Sequence, residues 1–403
     1  MNFPRRRRHI SKRLAAERLA MILTIAFACV DTFGQGRRAA EAAAQLHFPL
    51  TSFYDAPVPL PRSKAGTLIR SEPFDQYEIP FGASAFRILY HSVTARGEDV
   101  AASGVVMVPA DTAPSGGWPI IVWAHSLLSP ARECAPSLMK VPQGGPFLGM
   151  YLNLGFAVVA PDYVGLGTAF RNAGLDIRSN ANDLMFALPA ARQAVPQLSG
   201  KWIALGDTDG GAAAVILDEM ESAITDAGYL GSISISGELD LKGMIESDHK
   251  SPWTDDIAFL IYGTKTVFPA FQPQDLLSST GLTRYREVTE KCAAPALGAV
   301  PTMEGMLRGD VTKSSYIKNF VDRNEIGQQR AKAPLLLISG QDPGATGSPV
   351  ERIVRHLCAA GDRVDLETFP GIDPGNVIGA SVAAQISWIK ARFSGRMTPN
   401  ICH

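Results

Sequence analysis

The chain has 403 residues, of which 46% are hydrophobic and 19% are charged, and its formal net charge is −1. This composition excludes an intrinsically disordered chain. The length is enough for one large α/β domain or two ordinary ones.

The N-terminus has the pattern of a secretory signal. Seven basic side chains lie within residues 1–18, and the apolar run LAMILTIAFACV follows at residues 19–30. A membrane span needs about twenty apolar residues, so this shorter run with its small-residue pattern AFA predicts a cleaved signal peptide over residues 1–34. RRHISK at residues 7–12 resembles a twin-arginine signal and Cys29 a lipoprotein site, but ordinary secretion is the simpler interpretation.

Removal of that signal takes away seven basic and two acidic side chains, so the net charge changes from −1 to −6. A mildly acidic chain without a basic stripe argues against nucleic acid as a partner. No other stretch is long and apolar enough to span a membrane. We therefore predict a secreted or periplasmic protein with no transmembrane segment in the mature chain.

Four cysteines remain after the signal: Cys134, Cys292, Cys358 and Cys402. An even number in an exported chain predicts two disulfides, and none of the spacings is that of a metal site. Four cysteines allow three pairings, which the spacing alone leaves open. Four buried free thiols are the alternative.

The predicted elements begin after an N-terminal arm at residues 35–66, whose Ala-rich and Pro-rich stretches predict a mobile piece and then an extended, wrapping segment. AFRILYHSVTA and DVAASGVVMVP predict a hairpin. WPIIVWAHS and FAVVAPDY are continuous apolar runs, typical of strands buried on both faces of a parallel sheet. APLLLISG and VDLETFPG predict the last strands. Helical patterns alternate with the strands: DLMFALPAARQAV, the segment after Gly211, PVERIVRHLCAAG and ASVAAQISWIKARF.

This alternation predicts a doubly wound, mostly parallel α/β sheet. Its two parts span residues 67–238 and 331–403. Between residues 239 and 330 the alternation stops, and short aromatic and Pro-containing pieces such as AFLIYGTKTVFPAF take over. We interpret that interruption as an inserted helical cap.

A glycine-flanked turn, GDTDGG, joins the apolar run WIAL to a helical segment. It has the shape of the G-x-S-x-G nucleophile elbow, with Thr208 where the serine belongs. Gly206 and Gly210 are the residues that such a tight strand-to-helix turn requires. A purely structural role, with Asp207, Thr208 and Asp209 as helix-capping residues, explains the turn without any chemistry.

Several motifs together resemble the secretory lipases, α/β-hydrolases of the Candida lipase A type. They are WAHSLLSPARECAPS, GFAVVAPDYVGLGT, WIALGDTDGGAAA, APLLLISGQDP and FPGIDPGNVI. The resemblance runs over residues 66–395 and implies an α/β-hydrolase fold with a cap and hydrolysis of carboxylic esters or triacylglycerols. It also implies the pairings Cys134 with Cys292 and Cys358 with Cys402.

The family's catalytic triad carries over to Thr208, Asp342 and Pro374. In the family the turn reads G-H-S-Q-G-G, and the base is a histidine in a D-H pair after the last strand. Asp342 matches the acid, but Thr208 is a crowded nucleophile and Pro374 has no titratable group. Without a base, the hydroxyl keeps a proton that it cannot lose at neutral pH.

The oxyanion region is altered as well. His125 matches the family's W-A-H, while Ser126 replaces the glycine that follows it. Asp209 follows the nucleophile position and brings a carboxylate to the place where an oxyanion develops. We expect a carboxylate of Asp207 or Asp209 to occupy that positive potential.

Other chemistries remain open from the sequence. The remaining mature-chain histidines are His47, His91, His249, His356 and His403, and none takes the triad place by sequence order. An aspartate nucleophile at 207 or 209, as in haloalkane dehalogenases and epoxide hydrolases, fits the glycine spacing poorly and still needs a histidine. Asp207, Asp209, Asp342 and Asp373 could together bind Ca²⁺ or Mg²⁺, although solvated loop carboxylates are commoner.

The sequence thus predicts an exported secretory-lipase-like protein with impaired or lost catalysis, an acyl ester or lipid as ligand, and no metal or cofactor. The alternative is a non-catalytic binding or scaffolding protein that uses the lipase pocket for an acyl or other apolar ligand.

Overall fold

The structure is a computed structural model that describes residues 47–224, 226–237, 240–246, 254–292, 302–341 and 349–402. The predicted signal peptide and residues 35–46 of the predicted arm lie outside the described residues. The strands are β1 (Leu68–Pro73), β2 (Ser84–Val93), β3 (Asp99–Val108), β4 (Trp118–Ala124), β5 (Ala157–Pro161), β6 (Leu198–Asp207), β7 (Tyr229–Ile235), β8 (Leu335–Gln341) and β9 (Val364–Pro370).

The helices alternate with the strands from β4 onward. They are α1 (Gly145–Asn153), α2 (Ile177–Ala194), α3 (Asp209–Ile224), α4 (Leu241–Glu246), α5 (Thr254–Val267), α6 (Ser279–Glu290), α7 (Met303–Met306), α8 (Ser315–Arg323), α9 (Pro349–Ala360), α10 (Val377–Ala380) and α11 (Val382–Phe393). Short 3₁₀ helices lie at Ser52–Tyr54, Arg132–Cys134, Pro136–Leu138, Pro273–Asp275 and Val311–Lys313.

The strands of the described part of the chain form one sheet in the order β1-β2-β3-β5-β4-β6-β7-β8-β9. The first three strands and the β3/β5 pair are antiparallel. The remaining neighbours, from β5 through β4 to β9, are parallel. The predicted fold class is therefore confirmed, as is the predicted hairpin, which is β2 and β3 with Gly97 in the left-handed region at the turn.

Both faces of the sheet are buried, which explains the continuous apolar runs. Along β4, Ile120 and Val122 belong to the core under α2 and α3, while Ile121 and Trp123 belong to the core under α1 and α11. Side chains of a strand alternate between faces, so a strand covered on both sides must be apolar at every position. The predicted doubly wound arrangement follows from this pattern.

The predicted interruption lies between β7 and β8, and the structure fills its described part with α4 to α8. The guanidinium of Arg284 in α6 makes two hydrogen bonds of 2.8 Å to the carboxylate of Asp255 in α5. A bidentate pair of this kind fixes the relative positions of the two helices. No helix in the described ranges is long and apolar enough to cross a membrane.

Two cysteine pairs meet in the structure, but only one is bonded. Cys358 and Cys402 form a disulfide, as the resemblance implied, which links α9 to the C-terminal residues. Cys134 and Cys292 are free thiols whose side chains lie in hydrogen-bonding contact. No bond joins their sulfurs in this structure. The disulfide that the resemblance implies between them therefore remains a prediction.

Candidate active site

The turn between β6 and α3 has a strained residue at its centre. Thr208 has φ = 55°, one of three non-glycine positive values among the described residues. Its N–H donates to the carbonyl of Ile235, the last residue of β7, at 2.8 Å. A β-branched residue in the left-handed region is rare and costs free energy. The strained residue is therefore Thr208, which occupies the position of the family's nucleophile in the sequence.

The flanking glycines are required by close backbone approach. A Cβ added to Gly206 would lie 2.1 Å from the carbonyl oxygen of Gly210, and one added to Gly210 would lie 2.2 Å from that of Ala124. Neither neighbour can move away cheaply, because both contacts are with backbone. The turn thus keeps the steric form of an elbow, although the residue at its apex is a threonine.

Replacing Thr208 by glycine is expected to stabilise the protein by about 1 kcal/mol, because glycine relieves the cost of the left-handed backbone. Urea unfolding of the mature protein measures this difference. Thr283, exposed in α6 with an ordinary backbone, is the matched control, since Thr283→Gly should destabilise a regular helix. Destabilisation by both substitutions would contradict strain at Thr208.

The carboxylate of Asp209 accepts a hydrogen bond from a backbone N–H of the predicted oxyanion region. The N–H of Leu127, in the loop after β4, donates to both carboxylate oxygens at 2.9 and 3.1 Å. In α/β-hydrolases this loop supplies one N–H of the oxyanion hole, and the residue after the nucleophile supplies the other. Asp209 is only 5% exposed, so its carboxylate lies inside the site and not in bulk solvent.

Burial makes the elbow carboxylates weak acids. Desolvation raises the pKa of Asp209 to about 7, although the Leu127 hydrogen bond opposes the shift. Desolvation likewise raises the pKa of Asp207 to about 7 and that of Asp256, near the start of α5, to about 6. Asp207 and Asp256 both raise the pKa of Asp209 further by repulsion. As these carboxyls ionise, near and above pH 7, the site gains negative potential where a hydrolase must stabilise an oxyanion.

A metal could relieve that repulsion, but the side chains in the described part of the chain do not form a cage for one. Within the described ranges, no three His, Cys, Asp or Glu side chains are grouped so that they could hold a metal ion. Asp342, the fourth oxygen ligand considered with Asp207, Asp209 and Asp373, lies outside the described residues.

His125 stabilises the loop after β4, which contains Ser126 and Leu127. Its Nδ1 lies 2.9 Å from the carbonyl oxygen of Ser126, and its ring stacks on Tyr163 with centroids 4.2 Å apart. The Tyr163 hydroxyl donates to the carbonyl of His125. Burial lowers the pKa of His125 to about 4, so the ring is neutral at pH 7. Ser126 faces Gln143, whose amide donates to the serine hydroxyl at 2.8 Å. Both residues thus hold the loop that presents Leu127.

Pro374, the predicted base position, lies in the loop after β9 and contacts the residue that follows β7. Its carbonyl accepts a 2.7 Å hydrogen bond from the hydroxyl of Ser236, and a Cβ on Gly340 would lie 3.0 Å from its Cα. Ser236 directly follows Ile235, the residue that accepts from the Thr208 N–H. The structure therefore brings Thr208 and Pro374 to the same edge of the sheet, but the proline offers no proton acceptor on its ring. The acid candidate, Asp342, is outside the described residues.

The remaining described histidines are engaged elsewhere. His47 contacts Cys292, with Nε2 and Sγ 3.7 Å apart. His91 contacts Asp99 at 3.1 Å, and His356, in α9, faces Glu325 at 3.8 Å. His249 and His403 lie outside the described residues.

Sequence reasoning missed Leu127, Tyr163 and Asp256. Tyr163 belongs to the motif PDYVGLG, and its positive φ of 67° marks it as special only once the backbone is known. Leu127 acts through its N–H, which no side-chain pattern can reveal. Asp256 comes from α5, in the predicted cap segment, where the sequence has no regular period.

The fold and this elbow define the class: the chain has the α/β-hydrolase fold of lipases and esterases. It is similar to Candida antarctica lipase A in its closed state, with a TM-score of 0.75 and 17% identity over 88% of this chain and 89% of that one. It is similar as well to the rice cell wall degrading esterase LipA from Xanthomonas oryzae, with a TM-score of 0.69 and 17% identity over 83% of this chain and 100% of that one. A ligand-bound form of the same esterase gives a TM-score of 0.66 at 17% identity, over 82% of this chain and 98% of that one. No protein-family model and no curated protein matches the chain.

Proposed function

We propose that this chain is an exported protein of the secretory lipase type that has lost serine-hydrolase catalysis and retains an acyl ester or another lipid as its ligand. One observation carries the proposal: the Asp209 carboxylate accepts the Leu127 N–H with both of its oxygens. That N–H belongs to the loop that would stabilise the developing oxyanion. A negative group in its place repels the charge that the reaction must create.

The nucleophile and base positions support the same conclusion. Thr208 has a hydroxyl, but the residue in the base position, Pro374, cannot accept its proton. In the serine protease subtilisin, removing the serine or the histidine of the triad lowers turnover by about a million-fold. This chain combines both replacements with an occupied oxyanion donor, so turnover at Thr208 should be indistinguishable from background.

A non-catalytic binding or scaffolding role is the functional consequence. The lipase-like architecture gives the reason to expect an acyl or other apolar ligand, because Candida antarctica lipase A shares the fold over most of both chains. Export rests on the signal pattern at residues 1–34.

The test compares the mature protein with its Thr208→Ala variant. We expect both to hydrolyse short- and long-chain p-nitrophenyl esters only at the rate of buffer, and both to bind a fluorescent fatty acid with equal affinity. Thr283→Ala, on the exposed side of α6, is the matched control.

Three outcomes would overturn parts of the proposal. Wild-type turnover that disappears in Thr208→Ala would mean that the threonine is a working nucleophile. Turnover above buffer that survives Thr208→Ala would mean that catalysis occurs elsewhere in the molecule. Absence of fatty-acid binding would contradict the proposal that the protein binds an acyl ligand.

A further inference from the structure

A cleft lies at the opposite edge of the sheet from the elbow. It is bounded by β9, α11 and residues 396–399, and it encloses about 710 Å³ including its open mouth. Leu336 and Asp365, which line it, stand near the amino ends of β8 and β9, whereas Thr208 follows the carboxyl end of β6. In a parallel sheet these are opposite edges, so the cleft is separate from the candidate active site.

The cleft contains buried polar groups without protein partners. Thr398 is 6% exposed and Trp388 is 4% exposed, and both line the cleft. The Thr398 hydroxyl and the Trp388 indole N–H have no hydrogen-bond partner in the described part of the chain. Buried polar groups are nearly always paired, because leaving them unpaired costs free energy. Two such groups in one cleft point to a ligand that pairs with them.

Two carboxylates line the same cleft. Asp365 and Glu367 are two residues apart in β9, so their side chains leave the same face of the strand. Asp365 is only 8% exposed, and neither carboxylate has a salt-bridge partner within the described ranges. Burial and repulsion from Glu367 raise the pKa of Asp365. Asp365 accepts a hydrogen bond from the backbone N–H of Leu366, but it has no salt bridge among the described residues. A buried carboxylate without a cation beside it is costly unless a ligand supplies one.

The wall of the cleft is fixed before any ligand arrives. Ile401 donates to the carbonyl of Val364, and the Asn400 side chain accepts from the Val364 N–H. The disulfide from Cys402 to Cys358 then ties this tail to α9. The tail thus holds Thr398 against the edge strand, and a preorganised wall lowers the entropic cost of binding.

We propose that this cleft binds a small zwitterion, with an ammonium group held by Asp365 and Glu367 and an anionic oxygen group held by the donors opposite. Those donors are the Trp388 N–H, the Thr398 hydroxyl and the guanidinium of Arg396, which also lines the cleft. A lining with acceptors on one element and donors on the others matches a ligand with both charges. A free amino acid and an ethanolamine phosphate headgroup share this chemistry.

The experiment is isothermal titration calorimetry of the oxidised mature protein with four probes. γ-Aminobutyrate and O-phosphoethanolamine carry both charges, while ethanolamine and acetate carry one each. We expect at least one zwitterion to bind about tenfold or more tightly than either single-charge probe. Asp365→Asn and Thr398→Val should each weaken that binding about tenfold. Glu351→Gln, an exposed acid on α9, is the matched control and should change nothing.

Two further measurements separate the outcomes. Thermal unfolding should show Asp365→Asn at least as stable as the wild type, since it removes a buried charge that has no cation beside it. Loss of binding would then not reflect misfolding. Binding to phosphatidylethanolamine vesicles that O-phosphoethanolamine displaces would identify the source as a lipid headgroup, and preference for γ-aminobutyrate would identify a free amino acid. No zwitterion binding below about 10 mM, or binding that both substitutions leave unchanged, would overturn the proposal.

Discussion

The triple variant Thr208→Ser/Asp209→Gln/Pro374→His is expected to hydrolyse p-nitrophenyl butyrate at least about 100-fold faster than the double variant Thr208→Ser/Pro374→His, since one oxyanion donor contributes about that much to turnover. The double variant restores a nucleophile and a base on the existing elbow. It keeps the Asp209 carboxylate on the Leu127 N–H. Glutamine is the residue that the family's turn, G-H-S-Q-G-G, has at this place. Initial rates of the wild type and the two purified variants measure the difference.

The control for this experiment is the triple variant with Thr208→Ala in place of Thr208→Ser, which should return to the rate of buffer. Equal rates in the double and the triple variants would mean that the Asp209 carboxylate does not obstruct the oxyanion region. Activity in the single Asp209→Gln variant would mean that Thr208 and some other base already suffice, which contradicts the loss of the base at Pro374.

The sheet could be predicted from the sequence because its signals are local. Each buried strand is a continuous apolar run, and one glycine of the elbow, Gly206, is required by a backbone contact within the turn itself. The carbonyl of Gly210 leaves no room for a side chain at Gly206, and one short stretch of sequence contains both residues. The strain at Thr208 follows from the same turn.

The contacts that decide the chemistry could not be predicted, because they join distant parts of the chain. Asp209 and Leu127 are 82 positions apart, and the sequence alone indicated only that a carboxylate stood near the oxyanion. Asp256 lies in α5, within the predicted cap segment, whose aperiodic sequence does not predict which residues contact the sheet. The spacing alone left three cysteine pairings open, and the pairing of Cys358 with Cys402 came only from the family resemblance. In the structure, the packing of the C-terminal tail on β9 brings these two residues together.

Stability should fall as the pH rises from about 4 to about 7, by up to about 1.4 kcal/mol per pH unit for each buried carboxyl that titrates in this window. The pKa of Asp207 and of Asp209 is raised from 3.8 to about 7 by burial. Below pH 4 both carboxyls are protonated in the folded and unfolded states. Between pH 4 and 7 the unfolded chain loses these protons while the folded protein retains them, so ionisation favours unfolding. Urea unfolding at successive pH values measures the slope.

The Asp207→Asn/Asp209→Asn double variant is expected to flatten this pH dependence, because asparagine cannot lose a proton. Part of the slope should remain, since burial also raises the pKa of Asp183 and of Glu219 to about 7. Glu351→Gln, which removes an exposed acid, should leave the slope as it is in the wild type. A double variant with an unchanged slope would show that the elbow carboxylates are ionised at pH 4 and above. The Asp209 carboxylate would then hold its charge beside the oxyanion donor throughout the physiological range, and the obstruction of the hole would not depend on pH.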